Sequence, residues 1–492
     1  MTRADVCFVV EGSYPYVTGG VASWVHQLIT HMPDIRFSLL TLLPDAETPW
    51  VDKYEVPPNV VSRQNLYLFG KMDDDGARRE ANRGLIEAVS ALHDAPPESR
   101  CPYFRTVESL MRASGQSASS LLTARSSWRV MQELYKKRQR RVSFLDYFWT
   151  WRAIHGPMFR LLEAELPEAA VYHPVSTGYA GFIAGVAKLR HGAGVVLTEH
   201  GLYTREREIE IANAEWIYRD PGEGTAYAPY EPFFKGWWSN QYRFLGQLSY
   251  DLSDVIVTLH EANKKLQIQA GAPASKLQVV PNGIHPSGFE KARVTRDWGD
   301  RPFRVGLIGR VVPIKDVKTY LRAIQIVAQT LPVEAYVLGP TEEDPAYHAE
   351  CMELVKALKL ESTVTFTGKV ALADWLPKLD LNVLTSVSES QPLVILEASA
   401  SGIPTVATDV GACREMLEGK PGDDALLGPS GMVTPVVSPG ATAAAIIALA
   451  RHPERHAEMA KAGIRRVEGF YRQEAVFDTY RTLYRSLAGG KA

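Results

Sequence analysis

The chain has 492 residues, 46% of them hydrophobic and 22% charged, with a formal net charge of −2. That length exceeds one ordinary core and predicts two large domains, while the near-neutral charge gives no electrostatic footprint for nucleic acid. Four scattered cysteines, Cys7, Cys101, Cys351 and Cys413, form no CxxC, which excludes a disulfide framework or a zinc site of the usual spacing.

The opening MTRADVCFVVEG sets an acid before a short apolar run, so no signal peptide is expected. ATAAAIIALA (441–450) is too short to cross a bilayer and suits a buried or amphipathic helix. A cytoplasmic protein is expected, one able to dock at the inner membrane through protein partners.

DVCFVV (5–10) has the continuous apolar character of a strand covered on both faces. It runs into a loop carrying Gly19-Gly20 and then a helical pattern of Val21, Trp24, Val25, Leu28 and Ile29. A glycine pair between strand and helix lets backbone N–H groups approach a phosphate, though a plain tight turn has the same sequence. No GxGxxG is present here. FSLLTLL (37–43) is the second strand. From about 60 to 165 the alternation blurs, and the span reads as a helical insertion in the first domain. Within it SGQSASSLLTARSS (114–127) resembles a flexible loop, WRVMQELYKKRQRR (128–141) a basic helix and FLDYFWTWRAIHGPMFRLLEAEL (144–166) a packed aromatic helix. The KKRQRR run is a solvated face or a docking patch for a partner or lipid.

Strand–helix alternation then returns, with strands at 169–173, 194–199 and 254–259 and helices at 178–190 and 261–270, interrupted over 201–250. WGDRP (298–302) is a plausible hinge. A second series opens at Phe303 and runs through FRVGLIG, VEAYVLG, VTFTG, DLNVLTS and PTVAT. Two such series predict an α/β protein of two doubly wound parallel sheets whose strands end at a cleft. The domains expected are 1–297, 298–469 and a closing amphipathic helix within 470–492 that packs across both.

Three sets of residues carry chemistry. SESQPLVILEASASGIP (388–404) places Glu389 on a polar loop, a helix start after Pro392 and Glu397 about a turn and a half inside that helix. The first N–H groups of that helix, at Leu393 and Val394, make an anion site, and the two carboxylates suit sugar hydroxyls, although two solvated glutamates would look the same. GRVVPIKD (309–316) sends Arg310 and Lys315 from a strand end, two cations suited to a departing diphosphate without a metal, or simply two exposed basic residues. His200 in LTEHG and His173 in VYHP end strands on the other side, and YTREREIEI adds Arg205, Glu206, Arg207, Glu208 and Glu210 as a donor or acceptor wall or a solvated helix start. GxSxG, HExxH, Walker A and EF-hand signatures are absent from the sequence.

Together the Gly19-Gly20 loop, PNGI (281–284), Arg310 with Lys315, Glu389 with Glu397, and GIPTVAT followed by a Gly-Ala turn before Glu415 resemble the retaining GT-B glycosyltransferases of family GT4. FVVEGSYPYVTGGVASWVHQLI, TEHGLYTREREIEI and SESQPLVILEASASGIP look like the subgroup that serves bacterial Pel exopolysaccharide assembly. His285 stands where many GT4 members have Asp, and the 60–165 region is an addition to the usual N-terminal half. The resemblance implies a GT-B fold and transfer of a sugar, from a donor such as UDP-glucose, to a growing glycan with retention and without a metal. It implies that Arg310 and Lys315 hold the diphosphate with backbone help from Gly20 and the segment near Leu393. Glu397 would take the ribose, Glu389 the transferred sugar, and His200 would line the acceptor side. Inner-membrane synthesis and export proteins are the implied partners. Two other readings stay open: a UDP-sugar epimerase on the same architecture, which needs no acceptor, and a non-catalytic subunit of an export complex.

Overall fold

The computed structural model describes residues 3–70, 82–138, 142–218, 233–422 and 424–489. The chain divides into two compact units, one of Met1–Thr258, Lys264–Gln278 and Tyr480–Ala492, the other of Leu259–Asn263 and Val279–Thr479. The closing helix Gln473–Gly489 is itself shared between them, its first residues counted with the second unit and Tyr480 onward with the first.

In the first unit Ala4–Glu11 (β1), Phe37–Leu43 (β2), Val60–Tyr67 (β3), Ala169–Pro174 (β4), Gly194–Glu199 (β5), Val255–Thr258 (β6) and Leu277–Val279 (β7) form one sheet in the order β3-β2-β1-β4-β5-β6-β7. The neighbours from β3 to β6 run parallel. β2 is buried along its whole length and β1 nearly so, as strands covered by helices on both faces must be. The second unit repeats the plan. Phe303–Ile308 (β8), Val333–Leu338 (β9), Val364–Gly368 (β10), Leu381–Leu384 (β11), Thr405–Thr408 (β12) and Gly431–Thr434 (β13) pair in parallel in the order β10-β9-β8-β11-β12-β13. Each sheet reverses its strand order once, between β1 and β4 and between β8 and β11. Loops leaving the carboxyl ends there are the usual ligand sites of such sheets.

The expected α/β class and pair of parallel sheets are therefore present, and several local expectations are corrected. The 60–165 region is not helical from its start: VVSRQNLY is the edge strand β3, whose half-exposed, polar positions hide a strand pattern. The stretch 114–127 is not a flexible loop. Ser117 caps the helix Ala118–Thr123 through its hydroxyl (3.1 Å to the Ser120 N–H), and Leu121 and Leu122 lie in the core. The next helix begins at Arg125, and the end of the KKRQRR run, 139–141, lies outside the described residues. WGDRP is fixed within the second unit instead of hinging. The Trp298 indole donates to the Ala450 carbonyl (2.9 Å), and Arg301 forks onto buried Asp380 at 2.6 and 2.8 Å. β13 and the helix Pro453–Phe470 extend the second series beyond PTVAT.

Candidate functional site

Within the second unit the site is built by two loops that leave β8 and β11 at the switch point. After β8, a short turn at Pro313–Lys315 leads into Asp316, whose left-handed backbone (φ 43°) and side chain cap the helix Val317–Ala328 at the Thr319 N–H. The Lys315 stem passes over Gly309, where an added Cβ would sit 3.6 Å from Cε. Its Nζ meets Glu389 Oε1 at 2.5 Å, and the Ser386 hydroxyl donates to the same oxygen at 2.7 Å. The loops are tied by their backbones as well. The Thr385 hydroxyl donates to the Lys315 and Asp316 carbonyls (3.0 and 2.9 Å), and the Val387 N–H to the Ile314 carbonyl (2.9 Å). The Lys315 and Glu389 side chains are only 17% and 13% exposed, so this is a largely desolvated pair whose geometry is fixed by its surroundings.

The Glu389 loop is held from two further sides. Gly411 has φ 53°, and a Cβ there would fall 2.2 Å from the Glu389 carbonyl oxygen and 2.3 Å from that of Ser390, so only glycine fits. Gln391 clasps the PNGI loop by accepting from the Asn282 N–H (2.7 Å) and donating to its carbonyl (3.1 Å). The helix Leu393–Ala400 then starts at Pro392 with no side-chain cap, leaving its first N–H groups, those of Leu393 and Val394, at an open helix end. Glu397 is the fifth residue of that helix, and burial raises its carboxyl above the ordinary range. Arg310 and Lys315 do not share a carboxylate. Each has its own carboxylate, and Arg310, 54% exposed, pairs with Glu343 at 2.5 Å.

In the first unit a cavity of about 330 Å³ opens at the carboxyl ends of β1, β4 and β5, lined among others by Glu11, Ser176, Glu199, His200, Tyr203 and Arg207. Glu11 accepts from the Ser176 hydroxyl (2.9 Å), the Ala180 N–H (2.7 Å) and the Tyr203 hydroxyl (3.0 Å). Glu199 is fully buried and accepts from Thr177 Oγ1 and the Tyr203 N–H on one oxygen. Tyr250 and Gln267 donate to the other, at 2.8 and 2.6 Å. Burial raises its carboxyl in spite of these four donors.

His200 lines this cavity and packs edge-on to Trp24 (4.8 Å between centroids); burial lowers it to about 4, so its imidazole is neutral near pH 7. His173 is placed otherwise. It is buried between the Tyr484 hydroxyl (2.6 Å) and Thr198 Oγ1 (2.8 Å) and stacked on Phe8, a structural position. Gly19 and Gly20 lie exposed at the start of the helix Gly20–Thr30, and a Cβ on either would meet nothing within 4 Å. Of the charged wall, Glu206 and Arg207 face the cavity, whereas Glu208 pairs with Arg243 at 2.7 Å.

Sequence reasoning missed Glu11, Glu199, Ser386 and Gln391, and it quoted Gly411 only within the Gly-Ala turn, without a role. The first two had a signal, since each is an acid closing an apolar strand.

Residues 4–275 match the family model described as "Domain of unknown function (DUF3492)". The chain belongs to the DUF3492 family. The DUF3492 region carries the Glu11–Glu199 cavity, and residues 302–452, which hold the Lys315–Glu389 pair, match the model "Glycosyl transferases group 1". The D-inositol 3-phosphate glycosyltransferase of Kineococcus radiotolerans is 30% identical over 251 residues, 47% of this chain and 58% of that protein. Its counterpart from Kribbella flavida is 28% identical over 251 residues, 47% of this chain and 56% of that protein. The chain thus spans a little over half the length of these curated relatives. Among solved structures, Anabaena Alr3699/HepE in complex with UDP superposes with a TM-score of 0.58 at 14% identity, covering 98% of this chain and 99% of that one. Sucrose-phosphate synthase from Thermosynechococcus elongatus gives 0.58 at 16% identity, over 99% and 100%. At such identities the likeness is one of fold, and the fold is GT-B.

Proposed function

We propose that this DUF3492 chain is a retaining glycosyltransferase that moves a sugar from a UDP-sugar to a growing bacterial exopolysaccharide, in the manner of PelF in Pel assembly. The observation that carries the reading is the Lys315–Glu389 pair at 2.5 Å, locked on the two loops at the switch point of the group 1 domain. Departure of a diphosphate is the step most in need of help, and a fixed cation beside it stabilises charge that grows in the transition state. In this reading Lys315 and the more exposed Arg310 hold the diphosphate, with the N–H groups of Leu393 and Val394 adding donors, and no divalent metal is required. Glu389 exchanges part of its contact with Lys315 for hydroxyls of the transferred sugar. Glu397 grips the ribose. Neutral His200 lines the acceptor side as a hydrogen-bonding group without charge.

Binding of UDP by the Anabaena neighbour and the group 1 match support a uridine donor. Incubation with UDP-sugars and a glycan primer tests the reading. Primer extension with retained anomeric configuration is expected from the wild-type chain and lost in Lys315→Ala. An epimerised nucleotide sugar formed without primer, or full activity in Lys315→Ala, contradicts it.

A further inference from the structure

The helices Arg125–Arg138 and Phe144–Glu163 of the DUF3492 region bear a surface that none of the chemistry above uses. On the second of them Phe144, Leu145, Phe148, Trp149 and Arg152 fall on one side at helical spacing. Leu145 is 61% and Trp149 49% exposed, large values for such side chains in a folded domain. Trp128 of the neighbouring helix, 42% exposed, joins the two faces into one patch. Its ring lies 5.6 Å from both Phe144 and Phe148, edge-on. Arg125, one turn before Trp128, Lys136, about two turns after it, and Arg129, about a quarter-turn round the helix, are all exposed and flank the indole, and Arg152 lies over the Phe148 ring at 5.7 Å. Exposed Glu133 lies between Arg129 and Lys136 at i,i+4 and i,i+3 spacing, and partly exposed Asp146 follows Leu145 on the second helix, so the face keeps an excess of cations.

Indole rings flanked by cations on long stems are what a membrane surface selects. The rings sit at headgroup depth, the stems snorkel, and the charges meet anionic lipid. Among the described residues no helix is long and apolar enough to cross a membrane, so contact would be lateral. We propose that the Trp128–Leu145–Trp149 patch with Arg125, Arg129 and Lys136 is a docking surface for a bilayer bearing anionic headgroups. Charge complementarity favours lipid over a second copy of the chain, because two such patches facing each other would bring their cations together. The patch binds lipid itself, apart from any protein partner, and it stands whether or not the transferase reading does.

Co-flotation of the full chain with phosphatidylglycerol or phosphatidylcholine vesicles tests it, with thermal midpoints to show that the variants fold. Phosphatidylglycerol should capture the chain at least tenfold more strongly, and added salt should release it. Arg125→Glu with Arg129→Glu should lower that partition by roughly 30-fold or more, from about 1 kcal/mol per surface cation. Leu145→Ser with Trp149→Ser should lower it about tenfold at unchanged charge. Equal capture by the two lipids, no capture, or wild-type capture by folded variants would overturn the proposal. So would a wild-type dimer that the Leu145/Trp149 variant converts to monomer.

Discussion

The two units solve the same electrostatic problem in opposite ways. In the second, the Glu389 carboxylate is drawn out of water against a cation, and Lys315 is held only 17% exposed by loops that bond to each other. In the first, Glu11 and Glu199 accept their hydrogen bonds from neutral groups, hydroxyls, an amide and backbone N–H groups, and the one cation lining their cavity, Arg207, acts on Glu11 electrostatically. An ion pair can open to admit a charged ligand and trade one partner for another. A carboxylate saturated by neutral donors has no such exchange to offer and works as a rigid peg. The comparison teaches that the mobile charge belongs to the group 1 domain and the shape to the DUF3492 region.

Breaking the ion pair should have the largest effect. Lys315→Ala should lower transfer by on the order of 100-fold or more, through the loss of a transition-state charge contact. Because Glu389 is then left half-buried without its cation, the thermal midpoint should fall as well, and Lys315→Ala with Glu389→Ala should recover stability without recovering transfer. A transfer rate that returned with stability would show the pair to be scaffolding. Gly411→Ala comes next. It combines a left-handed backbone with a Cβ pushed against two carbonyl oxygens, so unfolding by urea should show a loss of about 2 kcal/mol or more, together with lost UDP affinity. In the first unit Glu199→Gln keeps the shape but turns one acceptor oxygen into a donor facing donors. A cost of about 1–3 kcal/mol is expected, with UDP affinity unchanged. A drop in UDP affinity there would erase the distinction between the units.

The smallest effect is that of pH. His155, His173, His200, His260 and His456 all have pKa values lowered chiefly by burial, to about 4, 3, 4 and 4 for the first four. Below the ordinary histidine range near 6.5 the unfolded chain takes up protons that the folded chain refuses, so stability present above that value drains away as pH falls toward 4. Glu199, Glu206 and Glu397, with raised pKa values, act with the opposite sign, whereas Asp5, Asp45, Glu334 and Glu474, held below the ordinary carboxylate range, act with the histidines. The thermal midpoint should therefore drop by a few degrees between about pH 7 and 5. A rising midpoint would mean that the carboxylates dominate.

Much of this was legible in the residues. Continuous apolar runs of strand length such as DVCFVV and FSLLTLL look as strands covered on both faces should, and their alternation with helices leads to two parallel sheets. The Glu389–Pro392–Glu397 spacing likewise placed the loop, the helix start and an acid inside that helix where they stand. What stayed hidden depends on contacts distant in sequence. Nothing local to VVSRQNLY says that β2 will pair with it, or that the buried side of ASSLLT outweighs its linker-like composition. The separate carboxylate of Arg310 comes from Glu343, beyond β9, and the need for glycine at 411 comes from carbonyls some twenty residues earlier. Glu11 and Glu199 had a visible signal, an acid closing an apolar strand, but their neutral donors arrive from the helices around them and from the Ser176–Thr177 turn.

In the proposed function the group 1 domain grips a uridine diphosphate through Lys315 and Glu397. Calorimetric titration of UDP into the chain in the presence of EDTA tests it most directly. Saturable binding by the wild type is expected, weakened at least about tenfold in both Lys315→Ala and Glu397→Gln. Wild-type affinity in those variants, or binding that appears only when a divalent metal is supplied, would contradict it.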